Sequence, residues 1–140
     1  MRILLTLALL ASSPWAFAQD PADIFHKTVD LDSINSVSLD VYASDEFEIK
    51  QWPGDDILIE TSVKLIDGKP FLLKFFKEAR RYELEEKVTG DRMQLTSVDK
   101  ERRAVKGGGA GTAQEKVKIV LYLPEDFAEA GANTYQRRSK

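Results

Sequence analysis

His26 is the only histidine of the chain, and there is no cysteine. A base for nucleophilic attack, or a zinc site, needs partners of those types. His26 alone reads as a surface or edge residue. Carboxylates are the next groups able to do chemistry. Asp30 and Asp32 fall at i, i+2, so an extended segment puts them on one face, with Asp40 on the following strand. Clustered carboxylates suit a hard cation such as calcium, and two close ones do acid–base work. The twelve-residue calcium loop is not found in the sequence, and alternate carboxylates are also the ordinary wet side of a strand. No catalytic residue, metal or cofactor is assigned. Asp55-Asp56 after Pro53-Gly54 reads as turn chemistry.

The basic residues Lys100, Arg102, Arg103 and Lys106 share one polar stretch. They are the candidate binding residues for an anionic partner, such as an envelope polysaccharide or lipid headgroups. Glu101 interrupts the group. Arg80-Arg81 stand at the end of a predicted helix, where the helix dipole already accounts for them. Lys106-Gly107-Gly108-Gly109-Ala110-Gly111-Thr112 has the composition of a phosphate loop but not its order. The lysine precedes the glycines, and a strand follows where a helix N-terminus is needed. Asp99 to Gln114 as a whole reads as a mobile loop.

The elements that must position these residues are mostly strands. Val37, Leu39 and Val41, then Phe47 and Ile49, then Ile57, Ile59, Val63 and Leu65 alternate with polar residues for about thirty positions. That is sheet with one buried and one wet face. An extended segment is predicted over Phe25–Ile34. Further strands are predicted around Tyr82–Glu85, with a bulge or a strand end at Glu86, and over Met93–Val98 after a turn at Gly90-Asp91. The last strand holds Val117, Ile119, Leu121 and Leu123, with Val120 and Tyr122 covered on its other face, and Pro124 stops it. At Asp67-Gly68-Lys69-Pro70 the period changes. Phe71, Leu72, Phe75, Phe76 and Ala79 make a helical stripe whose three phenylalanines, Phe71, Phe75 and Phe76, read as core, with Asp67 as a candidate cap and Pro70 in the first turn. The fold class is therefore mainly β, an antiparallel or solenoid-like sheet of about seven strands. One amphipathic helix over about 70–80 lies on the sheet or caps its core.

The organisation expected is a signal peptide over 1–18, a single β-rich domain over 19–127 and a flexible tail over 128–140. Arg2, the apolar run Ile3–Leu10 and Ala16-Phe17-Ala18 have the three parts of a secretory leader cut near Ala18-Gln19. No cysteine stands at the cut to carry a lipid, and no segment has the roughly 18 apolar residues of a transmembrane span. Export to the periplasm or the cell exterior is the expected localisation. A domain without cysteine relies on packing rather than disulfides. The formal net charge is −3, which argues against nucleic acid as the main partner.

Phe47-Glu48-Ile49-Lys50-Gln51-Trp52 followed by Asp55-Asp56-Ile57-Leu58-Ile59, then Arg81-Tyr82-Glu83-Leu84, then Val117–Glu125, resemble the DUF4097 family of adhesin-like bacterial envelope proteins. The resemblance covers about Phe25 to Phe127. It implies short strands stacked as β rungs in an open solenoid, and it brings no catalytic residue. The family continues past the proline with many rungs, whereas about sixteen polar residues follow it here. A missing rung would leave a sheet edge open to another protein or to a second copy. The leading functional expectation is an exported, non-enzymatic β scaffold of the envelope that binds or assembles. The alternative is a ligand- or polysaccharide-binding domain using the 99–114 loop. A third reading, a carboxylate-dependent glycan hydrolase, needs two acids roughly 5–9.5 Å apart across a cleft.

Overall fold

The computed structural model describes residues 20–107 and 111–139. The expected signal peptide and its cut lie outside the described residues, as do Gly108–Ala110 of the glycine-rich run. The strands are β1 (Ala22–Val29), β2 (Ser36–Asp40), β3 (Glu46–Trp52), β4 (Ile57–Ile66), β5 (Leu84–Thr89), β6 (Arg92–Ser97), β7 (Val105–Lys106), β8 (Thr112–Pro124), β9 (Phe127–Gly131) and β10 (Thr134–Arg137). The helix α1 is Pro70–Glu78. One sheet has the order β1-β4-β8-β3, with β7 alongside the start of β8; the other runs β5-β6-β2-β10-β9. The chain is mainly β with one helix. Its pairings are mixed, because β3 lies parallel to β8 and β2 parallel to β6.

Alternation builds the core. Ile57, Ile59, Val63 and Leu65 of β4 and Val117, Ile119, Leu121 and Leu123 of β8 point inward. They join Val37 and Leu39 of β2 and Met93 and Leu95 of β6 in one buried cluster. Val120, on the outer face of β8, is also buried. Trp52 closes β3 over the Pro53-Gly54 turn, with its indole N–H donating to the Asp56 carbonyl at 2.8 Å. A Cβ at Gly54 would lie 2.3 Å from that ring, so only glycine fits there.

Four expectations are corrected. The segment 128–140, expected to be a flexible tail, contributes β9 and β10. β10 is inserted between β2 and β9, with Tyr135 opposite Val37. Buried Phe127 starts the hairpin, and Arg137 holds it, 2.7 Å from Asp126 and 3.0 Å from the Ile34 carbonyl. With β7, these strands raise the count from about seven to ten. Second, β5 pairs β6 straight through Glu86, with neither a bulge nor a strand end there; the strand simply leaves the core, and Val88 is exposed. Third, Asp67 does not cap α1. The N-cap is Lys69 with no side-chain cap bond, and Asp67 sits at φ 60 with its amide on Asp20. Fourth, α1 does not bury three phenylalanines. It turns Leu73 into the core with Leu72 and Phe76 packed beside it, so Phe71 and Phe75 stand 63% and 60% exposed. The apolar stripe is wider than the contact so short a helix makes.

Ion pairs hold the segment that follows β6. Arg102 is inside: its side chain is 4% exposed and makes a bidentate pair with Asp45, at 2.5 and 2.8 Å, whose own side chain is 2% exposed. The guanidinium lies over Tyr42 at 4.4 Å and Tyr82 at 5.2 Å. Its Nε is the one fully buried side-chain nitrogen or oxygen without a partner among the described residues. Beside it Arg81 forks onto Glu115 at 2.6 and 3.0 Å, and the Tyr82 hydroxyl donates to the same carboxylate at 2.6 Å. Burial pushes the Asp45 carboxyl up, and Arg102 opposes it only in part. Burial also pushes Glu115 up, but the hydrogen bonds from Arg81 and Tyr82 outweigh it and hold that carboxyl below its ordinary value.

Glu115→Gln leaves buried Arg81 with only the longer contact to Asp99, at 3.8 Å, as counter-charge. The expected loss is about 3–5 kcal/mol of unfolding free energy at neutral pH, read from denaturant titration. Because the folded carboxyl titrates below the unfolded one, its contribution is complete above the unfolded value near 4.5 and fades as pH falls through the folded value. The gap between wild type and variant should therefore narrow as pH is lowered below about 4.5.

Candidate anion-binding face

The expected basic cluster does not form one surface. Lys100 is exposed and paired with Asp40 of β2. Arg102 is buried on Asp45, so it offers no free charge to a partner. Arg103 is exposed, and its carbonyl accepts a hydrogen bond from Arg81 at 2.6 Å. Lys106, on β7, is exposed and stands opposite Thr112 of β8. Cross-strand partners point to the same face. Lys106 therefore shares a face with Thr112, Gln114, Lys116 and Lys118, which alternate along β8 with buried Ala113, Val117 and Ile119.

That face gathers further cations. In the β4–β8 register Lys64 stands directly opposite Lys116, and Ser62 directly opposite Lys118. Ile24 of β1 pairs with Ser62, and its side chain is 58% exposed. Lys64, Lys116, Lys118, Ser62, Gln114 and Ile24 line a surface recess of about 540 Å³. Side chains directly across antiparallel strands have Cβ atoms about 4.5–5.5 Å apart, and like charges there are destabilising. Lys118 has Glu48 at 3.4 Å. Among the described residues no carboxylate lies within ion-pair distance of Lys64 or Lys116. Glu46 of β3 stands opposite Lys118 and lines the recess as well, while toward the other end of the face Glu60 bonds His26 at 2.9 Å. His26 is thus an exposed edge residue, as expected.

This arrangement supplies several N–H donors and positive charge over a concave sheet face flanked by one apolar side chain. It suits the oxygens of an anionic polymer or headgroup. Lys64 was legible as an outward residue of β4, and Lys116 and Lys118 as outward residues of β8. What sequence reasoning missed was their meeting, because the strand register is not written in either strand alone.

The carboxylates gather elsewhere. Asp30, Asp32, Asp55, Asp56, Glu125 and Asp126, with Arg137, line a groove of about 450 Å³. Two of these acids serve the backbone: Asp30 accepts from the Asp32 amide at 2.9 Å, and Asp56 from the Leu31 amide at 3.3 Å. Asp40, expected near Asp30 and Asp32, is not in the groove and pairs Lys100 instead. Among the described residues no three His, Cys, Asp or Glu side chains are grouped to hold a metal ion.

Fold and face together define, among the described residues, a mixed, ten-stranded two-sheet β protein with a lysine-lined recess on one outer face. Comparison with protein-family models, with curated proteins and with solved structures finds no match. No helix among the described residues is long and apolar enough to cross a membrane.

The like-charge pair has a thermodynamic signature of its own. Lys116→Glu replaces repulsion with attraction across the strands. It should raise the free energy of unfolding by about 0.5–1 kcal/mol in low salt, and by less in high salt, followed as the melting temperature of the unliganded protein.

Proposed function

We propose that the chain is an exported, non-enzymatic β-scaffold module of the cell envelope that binds an anionic polymer on the lysine-lined face of the β1-β4-β8-β3 sheet. The carrying observation is the register that sets Lys64 opposite Lys116 in a recess that Lys118 also lines, with Lys106 farther along the same face opposite Thr112. Two uncompensated ammonium groups side by side cost the fold energy, and a bound anion removes that cost. The secretory leader and the resemblance to adhesin-like envelope proteins supply the rest of the reading. Affinity in such a site comes from many weak contacts along a chain, so a polysaccharide carrying repeated carboxylates is the natural occupant. The 99–114 loop contributes Lys106 rather than serving as the site, because Arg102 is committed to Asp45.

Polygalacturonate and uncharged dextran separate the outcomes. The wild-type protein should bind the first and not the second, with affinity falling steadily as salt rises. Lys64→Gln with Lys116→Gln should weaken binding by about 2 kcal/mol, roughly thirtyfold in Kd, with the melting temperature of the free protein kept or slightly raised. Equal binding of dextran, or a double variant that binds as tightly as wild type, overturns the proposal.

A further inference from the structure

β1 ends the order of its sheet and pairs only with β4. At eight residues it is longer than the other terminal strands, β3, β5 and β9. An edge strand presents a row of unpaired N–H and C=O groups, which proteins usually guard with proline, charge or a bulge. β5 has Glu85, Glu86 and Lys87 in a row, and the register of β9 shifts against β10. β1 has no proline, and its register against β4 runs unbroken from Ala22 to Val29. The Leu65 amide donates to the Pro21 carbonyl at 2.9 Å, which fixes the parity of that register. Bonded and unbonded pairs alternate in an antiparallel ladder, so Asp23, Phe25, Lys27 and Val29 turn their backbone groups to β4. Those of Ala22, Ile24, His26 and Thr28 turn away from it, and all four of these residues are exposed. Among the described residues no further backbone hydrogen bond reaches the strand. The Ile24 amide is met only by the carboxylate of Asp23 beside it, at 2.9 Å.

We propose that β1 pairs antiparallel with β1 of a second copy about a two-fold axis at Phe25, joining the two β1-β4-β8-β3 sheets into one. The interface is isologous, the same patch on both copies. In this register Ala22 pairs with Thr28 of the second copy and Ile24 with its His26, so every outward backbone group finds a partner. A slide of one residue sets outward groups against groups already bonded to β4. A slide of two keeps the parity but shortens the overlap. The same register sorts the side chains of the other face by sign. Asp23 stands across from Lys27 of the second copy, Lys27 from its Asp23, and Phe25 from its equivalent. Neither ion has to leave the partner it holds within its own chain, Lys77 at 2.7 Å for Asp23 and Glu83 at 3.1 Å for Lys27. The interface becomes an alternating row: Lys77 and Asp23, then Lys27 and Glu83 of the second copy. Opposite charges directly across a strand pair are favourable, and like charges are not. The pairing rests on the strand edge and not on binding at the lysine face, so either can fail alone.

The chain has no cysteine, so a single introduced one reports the register without background. Protein purified from expression of the full chain is the sample. Phe25→Cys should give a disulfide-linked dimer on mild oxidation, because residues facing each other in a non-hydrogen-bonded pair have Cα atoms about 4.5 Å apart, within reach of a disulfide. Ile24→Cys and His26→Cys, each two residues out of line with its equivalent, should link about tenfold more slowly. In the wild type, amide exchange at Ile24, His26 and Thr28 should slow as protein concentration rises, while Asp23, Phe25 and Lys27, already bonded to β4, stay unchanged. Ile24→Pro removes an outward N–H and no bond to β4, so it should abolish that concentration dependence with the fold kept. Three results overturn the proposal: wild type that sediments as a monomer up to its solubility limit, linking as fast at Ile24 or His26 as at Phe25, or protection that rises evenly along the strand.

Discussion

The register between Ile57–Ile66 and Thr112–Pro124 decides what this protein hides and what it displays. Ile59 faces Leu121, Thr61 faces Ile119 and Val63 faces Val117, so one face of both strands is core. The other face then has Lys64 against Lys116 and Glu60 against Val120. A slip of one residue would carry Lys116 and Lys118 into the core and Val117 and Ile119 into water, since side chains alternate with period two. Burying even one unpaired ammonium costs several kcal/mol, more than the marginal stability of a small domain can lose. The apolar pattern enforces the register, and the register brings the lysines together. The recess on the outer face is thus a consequence of the packing inside.

Charge buried near β8 plays a different part. Arg81, Glu115, Arg102 and Asp45 form two bidentate pairs against Tyr42, Tyr82 and Phe76. Buried pairs of this kind are weak sources of net stability, because each ion loses its hydration on folding. Their effect is on specificity. Arg102 belongs to the polar segment after β6, which has few apolar residues of its own to place it; its fork onto Asp45 fixes that segment against the turn after β2. Arg81 does the same for the end of α1. The elements least able to pack by apolar contact are those tied down by guanidinium groups.

Much of the fold was legible because alternation states which side chains are inside without reference to any partner. Val117, Ile119, Leu121 and Leu123 read as core from their spacing and are core. The change of period at Pro70 marked the helix, and Gly90-Asp91 marked the β5–β6 turn. What could not be read depends on partners far away in sequence. Thr134–Arg137 looks like a tail because its strand character comes from β2 and β9 on either side. Arg102 looks like a surface cation because Asp45 lies 57 residues away. Of the four candidate binding residues, Lys106 alone reaches the lysine face, through a two-stranded pairing that the glycine run conceals.

An overall charge of −3 repels an anionic partner at long range. It does not decide the matter, because at physiological ionic strength charges farther than about 8 Å are largely screened. What an approaching polymer meets is the local field. On this sheet face the charges are graded along the strands: His26, Glu60 and Glu48 lie toward one end and Lys64, Lys116 and Lys106 toward the other, with Glu46 opposite Lys118 between them. A chain selected for solubility alone gains from interspersed signs, and Glu at either Lys64 or Lys116 would relieve the repulsion between them. Lysine at both positions, over a concave part of the face, departs from the most stable arrangement, and the proposed binding of an anion would account for it. The same reasoning separates this face from the acidic groove, where Asp30 and Asp56 satisfy backbone amides and so have a structural use for their charge.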